Sequence, residues 1–431
     1  MKLKTIGGII AILIFGSTVA HSQDQQLDFN ITGAGARAEG FGGAFIGVAD
    51  DATAIAWNPA GLAQLINPEA SVVARIVGDS WEGISYETPD FDWNQNQSHF
   101  VLNFWSVAYP VDLGDKRAVL AAAYQRQLDF YFFSKEEEII QDFSLITNNE
   151  IKGSADTFTF GIGTRLNRSF YLGAATNIWF GNATLDETWE ESFFDGDDIY
   201  YVDGSWKTDD SFSGLNFVFG ALADLSTAEA EIPLKLGMSL KTPFELSWNY
   251  DWKSSDYILF TDGNSGTTLS ESDITDSGSE SIVIEMPLML GLGASYMIGE
   301  NLTLSADYET RAYSSSESRF EGESEGTPLS DTEDDLNQIR LGAEYLLIFD
   351  MGVFPIRAGY RTVPTLRANF DSNGKPADQV QGSAMTFGTG LIMERFAIDA
   401  AFTISGYEQN DSTETFISKQ NMLTLSTIYY F

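Results

Sequence analysis

"DTFTFGIGTRL", residues 156 to 166, alternates apolar and polar side chains with a period of two. Phe158, Phe160, Ile162 and Leu166 fall on one side of an extended chain, and Thr157, Thr159, Gly161, Gly163 and Arg165 on the other. A helix would mix the two sets around its circumference, so the stretch reads as a strand with one greasy and one polar face. "NLTLSADYETR", residues 301 to 311, repeats the signal: Leu302, Leu304, Ala306 and Tyr308 oppose Thr303, Ser305, Asp307, Glu309 and Arg311. The chain closes on it again in "QNMLTLSTIYYF", residues 420 to 431.

Such segments recur near 69–77, 98–109, 117–128, 154–166, 169–181, 212–224, 232–242, 280–297, 301–313, 336–346, 353–363, 382–392, 395–406 and 419–431, fourteen in all. The connections between them are alternately short, as in "IGE" and "MER", and long and polar: 78–97, 129–153, 182–211, 243–279, 314–335, 364–381 and 407–418. Tight turns at one end and long loops at the other is the layout of an outer-membrane barrel. Strand length agrees: about 12 residues at about 3.3 Å each, tilted by about 40°, span close to 30 Å. Closure also removes the unpaired edges that an open sheet of this size would expose. The expected fold class is therefore all-β, a 14-stranded antiparallel transmembrane β-barrel over residues 69–431 with long acidic extracellular loops.

The opening "MKLKTIGGIIAILIFGSTVAHS" has Lys2 and Lys4 before a short apolar run and small residues, the form of a secretory signal peptide spanning 1–22. No later segment has the continuous apolar length of a membrane helix. With no cysteine, neither disulfides nor thiolate chemistry is available. His21 lies in the signal, leaving His99, which has no catalytic partner readable in the sequence; no enzymatic activity is expected. Loss of the two leader lysines takes Lys+Arg from 24 to 22 against 62 Asp+Glu, and the formal charge from -38 to -40. Such a surface repels nucleic acid. Much of the acid sits in the long loops. Residues 186 to 210 carry ten Asp or Glu against one Lys, and 321 to 335 carry no base. These read as solvated loop tips. Asp195, Asp197 and Asp198 lack the full spacing of a calcium loop, so no metal site is expected.

Along the polar faces lie charges of both signs: Arg165, Asp307, Glu309, Arg311, Arg340, Glu344, Arg357 and Arg361. In a lumen these would pair with one another and with a plug, since unpaired buried charge is costly. Recruitment of an anionic ligand head by Arg340, Arg357 or Arg361 is the sharper alternative. A fourteen-stranded lumen is too wide for side chains alone to fill, and residues 23–68 are placed to plug it as a hatch. Within them, "GARAEGFGGAFIGVADDATAIAWNPAGLA", residues 35 to 63, has glycines suited to close backbone approach, among them Gly42 and Gly43. Asp50 and Asp51 are expected to cap a short helix "ATAIAW", and Asn58 a second one with Pro59 in its first position and Ala60 next. A nucleotide loop would need a flanking strand and helix that this stretch lacks.

This stretch resembles the N-terminal signature of the FadL/TodX-like outer-membrane transport proteins and, more loosely, of their PorV-like relatives in protein secretion. Gly42-Gly43-Ala44-Phe45, Ala49-Asp50-Asp51-Ala52 and Asn58-Pro59-Ala60-Gly61 fall in the family's order. The resemblance implies a hatch containing the Asn-Pro-Ala element and an outer-membrane channel for passive uptake of hydrophobic small molecules such as long-chain fatty acids or hydrocarbons, with no cofactor. The alternative is a PorV-like barrel that holds client proteins of a secretion system through its loops. Membrane lipid and lipopolysaccharide are the expected surroundings in a Gram-negative outer membrane.

Overall fold

The structure, a computed structural model, describes residues 33–86, 93–114, 116–140, 143–194, 198–228, 231–411 and 413–431. The expected leader, hatch residues 23–32, Asp195 and Asp197 lie outside the described residues.

Fourteen strands close a wall. They are β1 (Glu69–Ser85), β2 (Trp93–Leu113), β3 (Lys116–Asp129), β5 (Phe143–Arg165), β6 (Phe170–Phe194), β7 (Asp198–Asp224) and β8 (Leu234–Lys241), followed by β11 (Met289–Ile298), β12 (Leu302–Arg311), β15 (Leu336–Phe349), β16 (Gly352–Phe370), β17 (Pro376–Ile392), β18 (Phe396–Asn410) and β19 (Glu414–Tyr430). Each is antiparallel to the next, and β1 pairs with β19 from Glu69↔Tyr430 to Ser85↔Glu414, which leaves the wall without an edge. The alternation read from the sequence sets the two faces. Phe158 and Phe160 point outward at 41% and 55% exposure, while Thr157 and Thr159, which alternate with them, are buried in the lumen. Tyr109, Tyr296, Tyr345, Tyr429 and Phe431 face outward near the short-turn ends, the position of an interfacial aromatic girdle.

Beyond the wall, strand continues where loops were expected. β4 (Phe132–Ile140) prolongs β3, β9 (Phe244–Asp262) prolongs β8 past Pro243, and β10 (Thr268–Met286) leads into β11 past Pro287. Proline has no N–H for the ladder, so each ribbon breaks there. β13 (Glu317–Phe320) and β14 (Thr327–Pro328) are short additions. The order β4-β5-β6-β7-β9-β10 thus makes a six-stranded outer sheet. The register of β5 with β6 runs unbroken from Arg165↔Tyr171 to Phe143↔Phe193. Hydrophobic alternation stops where lipid stops, whereas backbone pairing does not; this is why the sequence read these segments as loops.

Inside the wall sit two short helices, α1 (Ala36–Gly40) and α2 (Ala54–Trp57), and a 3₁₀ turn, Pro59–Gln64. Phe45, Ile55, Trp57 and Leu62 from this hatch pack with Val73, Phe104, Val119 and Val218 of the wall. Each fully buried apolar side chain of this size contributes about 1.5–3 kcal/mol. A second apolar cluster lies toward the outer sheet, where Trp179, Phe212, Leu246, Ile284, Tyr313 and Leu366 meet.

Candidate functional site

The hatch is held where its backbone lies against the wall. Gly42 adopts φ +70°, and a Cβ there would stand 2.7 Å from the Leu341 carbonyl and 2.8 Å from the Tyr360 amide nitrogen. Gly43, at φ +79°, leaves room for the Arg340 side chain, 3.2 Å from where its Cβ would be. Only glycine meets both requirements at no steric cost.

Asn58 behaves as the sequence predicts and does more. Its Oδ1 accepts from Ala60 N at 3.2 Å, capping a turn with Pro59 in its first position. Its Nδ2 donates to Ile46 O at 3.0 Å and to Ala221 O at 3.1 Å, tying two parts of the hatch to β7. Asn58, Pro59 and Ala60 are all buried. The aspartates divide their work differently from expectation. Asp51 accepts from Thr53 N at 2.8 Å and from its hydroxyl at 2.5 Å, a turn that leads into α2 without capping it, since the helix begins at Ala54 and no side chain bonds its first amides. Asp50 caps nothing; its carboxylate is 2.5 Å from Arg37 Nη1, because an arginine in the same apolar enclosure offers a stronger, charge-assisted partner.

Two chains of alternating charge fasten hatch to wall, and a third lies within the wall and meets the hatch at a ring. In the first, Asp50 pairs with Arg37, Arg37 with Glu344 at 3.3 Å, Glu344 with Arg357 at 2.6 Å and Arg357 with Asp399 at 2.5 Å, crossing from α1 to β15, β16 and β18. In the second, Glu39 of α1 takes Arg75 of β1 at 2.9 Å and Arg361 of β16 at 2.8 Å. In the third, Glu309 holds Arg311 at 2.7 Å and Arg340 at 3.2 Å, and the Arg340 guanidinium lies 5.6 Å from the Trp57 ring. Asp307 accepts from Ile46 N at 2.8 Å, and Glu69 from Ala52 N at 3.0 Å. Arg311, Arg340 and Arg357 are among the most completely buried side chains described. Buried charge persists only when opposite charge and hydrogen bonds surround it, as here.

Seven of the eight lumenal charges expected from the sequence therefore meet in this network. Arg165 does not: it is exposed at the short turn after β5, donating to the carbonyls of Asn167 and Arg168. It keeps the inward parity of its strand but lies past the hatch, where the turn carbonyls are its nearest acceptors. Arg37, Glu39, Arg75 and Asp399 escaped the sequence reading. Their signal was present, since Arg37 and Glu39 are the first charges of a glycine- and alanine-rich stretch and Arg75 and Asp399 occupy inward positions of their strands.

Above the hatch, on the side of the outer sheet, lies a vestibule of about 360 Å³. Its floor is the Arg75–Glu39–Arg361 triad, and its walls carry Asp79, Trp81, Arg126 and Phe132. His99 also lines it, 2.7 Å from Asp129 and stacked on Tyr131 at 4.4 Å, so the histidine has an acidic partner that the sequence did not reveal. Asn103 Oδ1 and Gln127 Oε1 face buried surroundings with no hydrogen-bond partner among the described residues. The vestibule is mixed in character, with Val77, Leu128, Phe130 and Met422 beside these polar groups, and Arg75 and Arg361 of the triad close it below. An apolar groove of about 640 Å³ lies instead on the outward face, where Ala294, Ala306, Ala343 and Ala358 sit between Leu304, Tyr296 and Tyr360.

A family model, BamG, matches residues 34–422. No curated protein matches the sequence. Among solved structures, the toluene transporter TodX of P. putida is similar with a TM-score of 0.62 at 14% identity, covering 93% of this chain and 99% of that one. A Pseudomonas aeruginosa FadL homologue gives 0.62 at 15% identity, covering 94% and 100%. The CymD monoaromatic hydrocarbon channel gives 0.55 at 14%, covering 94% and 99%. These likenesses establish a plugged, 14-stranded barrel of the FadL/TodX outer-membrane type.

Proposed function

This chain belongs to the BamG family, and from that premise we propose that it works in the outer membrane as a sealed barrel whose outer sheet is a platform for partner proteins. One observation carries the reading: the hatch is fixed to β1, β15, β16 and β18 by chains of buried ion pairs, and to the wall backbone at Gly42. A solute passing through the lumen would have to break several such pairs at once, and removing one partner of a buried pair costs about 3–5 kcal/mol. The outer sheet, by contrast, stands clear of the wall and carries exposed apolar side chains, among them Ile139, Phe193, Phe194 and Ile199. Exposed apolar surface set among polar residues is a common mark of protein contact. The partners proposed are envelope proteins such as those of a secretion system, in place of nucleic acid or a cofactor.

Passive uptake of a hydrophobic small molecule is the second reading. It is favoured by the apolar cluster around Trp179, Phe212 and Leu246 at the outer mouth, and by the fold shared with hydrocarbon channels. In it, ligand contacts would shift the hatch between two states.

A disulfide lock separates the two. Ala36 N lies 3.3 Å from Ser426 Oγ, and the chain has no cysteine of its own, so Ala36→Cys with Ser426→Cys would tether hatch to wall. A platform keeps its partners and its cellular phenotype under oxidising conditions. A transporter loses uptake of a fluorescent fatty acid or of toluene on oxidation and regains it on reduction, and that result would overturn the platform reading.

A further inference from the structure

β10 leaves one side of its backbone unpaired. It pairs with β9 along its whole length, from Thr268↔Thr261 to Met286↔Phe244. On its other side, pairing is confined to Ile282, Val283 and Ile284 against β13, with one further bond from Glu321 N to Ser281 O. From Thr268 to Glu280 the outward-pointing N–H and C=O groups of that edge have no backbone partner among the described residues. Thirteen residues at about 3.3 Å each make an open ladder about 43 Å long. Side chains from Thr268 to Ser277 are exposed on both faces, so this strand covers no core of its own; Leu269 and Ile274 are each 51% exposed. A long unpaired edge is a template for a further strand.

Charge decides which strand. The stretch "TLSESDITDSGSE", residues 268 to 280, holds Glu271, Asp273, Asp276 and Glu280 and no Lys or Arg. Two copies of this edge brought together would set eight carboxylates along one seam, so self-pairing is disfavoured and a second copy is not the occupant. Glu271 and Glu280 are steadied by the Tyr257 and Tyr250 hydroxyls of β9, while Asp273 and Asp276 take no part in a described ion pair. The opposite edge of the sheet, β4, is shorter and mixes Lys135 with Glu136 and Glu137.

We infer that the free edge of β10 is a docking edge, to which an extended, lysine- or arginine-bearing segment of a partner protein adds as a seventh strand of the outer sheet. Backbone hydrogen bonds along Thr268–Glu280 supply the affinity, and the acidic side chains select a basic strand and repel an acidic one. This rests on the platform reading, for which it names the surface and the chemistry of the partner.

The test uses the whole chain in detergent micelles and two 14-residue probe peptides, one alternating Lys with Thr and the other Glu with Thr. Amide hydrogen exchange is followed over residues 268–281. The Lys peptide is expected to slow exchange there about tenfold, with the effect fading as salt rises; the Glu peptide is expected to do nothing. Asp273→Lys with Asp276→Lys should abolish the slowing while leaving the exchange of β9 amides as in the parent, which shows that the hairpin is still folded. Equal protection by both peptides, or protection by neither, overturns the inference. Single cysteines at Ser272 on the edge and at Ser192 and Ser205 elsewhere in the outer sheet are then cross-linked in intact cells. Cross-links from Ser192 or Ser205 without any from Ser272 refute the docking edge and leave the platform standing. No cross-link from any of the three positions refutes the platform itself.

Discussion

Glu39→Gln isolates the fastening of the hatch. Glu39 is 1% exposed and each of its carboxylate oxygens holds one arginine, Arg75 at 2.9 Å and Arg361 at 2.8 Å, on strands from different parts of the wall. An amide keeps the shape but has one accepting oxygen and no charge, so two buried guanidiniums are left facing a neutral group. Removing one partner of a buried ionic cluster costs about 3–5 kcal/mol. α1 can escape part of that cost by opening, which lets water reach both arginines, while Asn58 and the Ile46–Asp307 bond keep the rest of the hatch in place. At about 1.4 kcal/mol per factor of ten, the amides closing α1, Glu39 N to Gly35 O and Phe41 N to Arg37 O, are expected to exchange about 10²–10³-fold faster. Those around α2, such as Asn58 N to Ala54 O, should barely change. Replacing all three charges together, Glu39→Met, Arg75→Met and Arg361→Met, should recover most of the protection, because no uncompensated charge remains. Amide exchange read by mass spectrometry on the barrel in detergent decides it. Exchange within threefold of the parent in Glu39→Gln, or a triple variant as loose as the single one, refutes the idea that buried charge fastens the hatch.

Asn58→Ala removes a cap and strands the carbonyls of Ile46 and Ala221, and should lower the stability of the barrel by about 2–3 kcal/mol, seen as a lower midpoint of the heat-induced gel shift. Gly42→Ala and Gly114→Ala both place a Cβ at positive φ, +70° and +64°, but only Gly42 has wall backbone within 3 Å; the first should be much more damaging than the second, which should cost about 1 kcal/mol. Glu191 of the outer sheet is buried without an ion pair, and burial pushes its carboxyl above the ordinary range. Its protonated form therefore favours the folded sheet, and the stabilisation, complete below the ordinary carboxylate range, is lost as pH rises through the raised folded value. Amides near Glu191 should lose protection as pH rises above the ordinary carboxylate range, after correction for intrinsic rates, and Glu191→Gln should flatten that dependence. Arg165→Ala should change stability by less than about 0.5 kcal/mol, since its partners are turn carbonyls at an exposed site.

The wall was legible because lipid imposes a rule on every strand it touches. Each of the fourteen segments read from alternation overlaps a wall strand, since a one-residue slip would have put Thr157 into lipid and Phe158 into the lumen; 280–297 alone joined two strands, the end of β10 and β11, which Pro287 separates. The outer sheet was not legible for the complementary reason: "TLSESDITDSGSE" has water on both faces, so nothing forces a period on it, and only the backbone ladder with β9 reveals it. At the hatch, Asn58 and Pro59 could be read from local capping chemistry alone. Asp50 could not, because its preference for Arg37 over a helix end is decided by the enclosure around both. The pairing of Glu39 with Arg75 and Arg361 depends on which strands curve to face one another, and a period along the chain carries no such knowledge.

The hatch stands at the start of the chain, yet its fastenings are found near the end. Glu39 and Arg361 are separated by 322 positions, Arg37 and Glu344 by 307, and Ala36 and Ser426 by 390. Loops that long are slow to close. As the chain is made, Arg37 and Glu39 meet Asp50 and Arg75 early, but their further partners Glu344 and Arg361 come only after most of the polypeptide has followed. A product cut short before β16 has neither Arg357 nor Arg361 to offer, so both charge chains that reach the hatch stay incomplete and the closing of the threshold is timed from the far end.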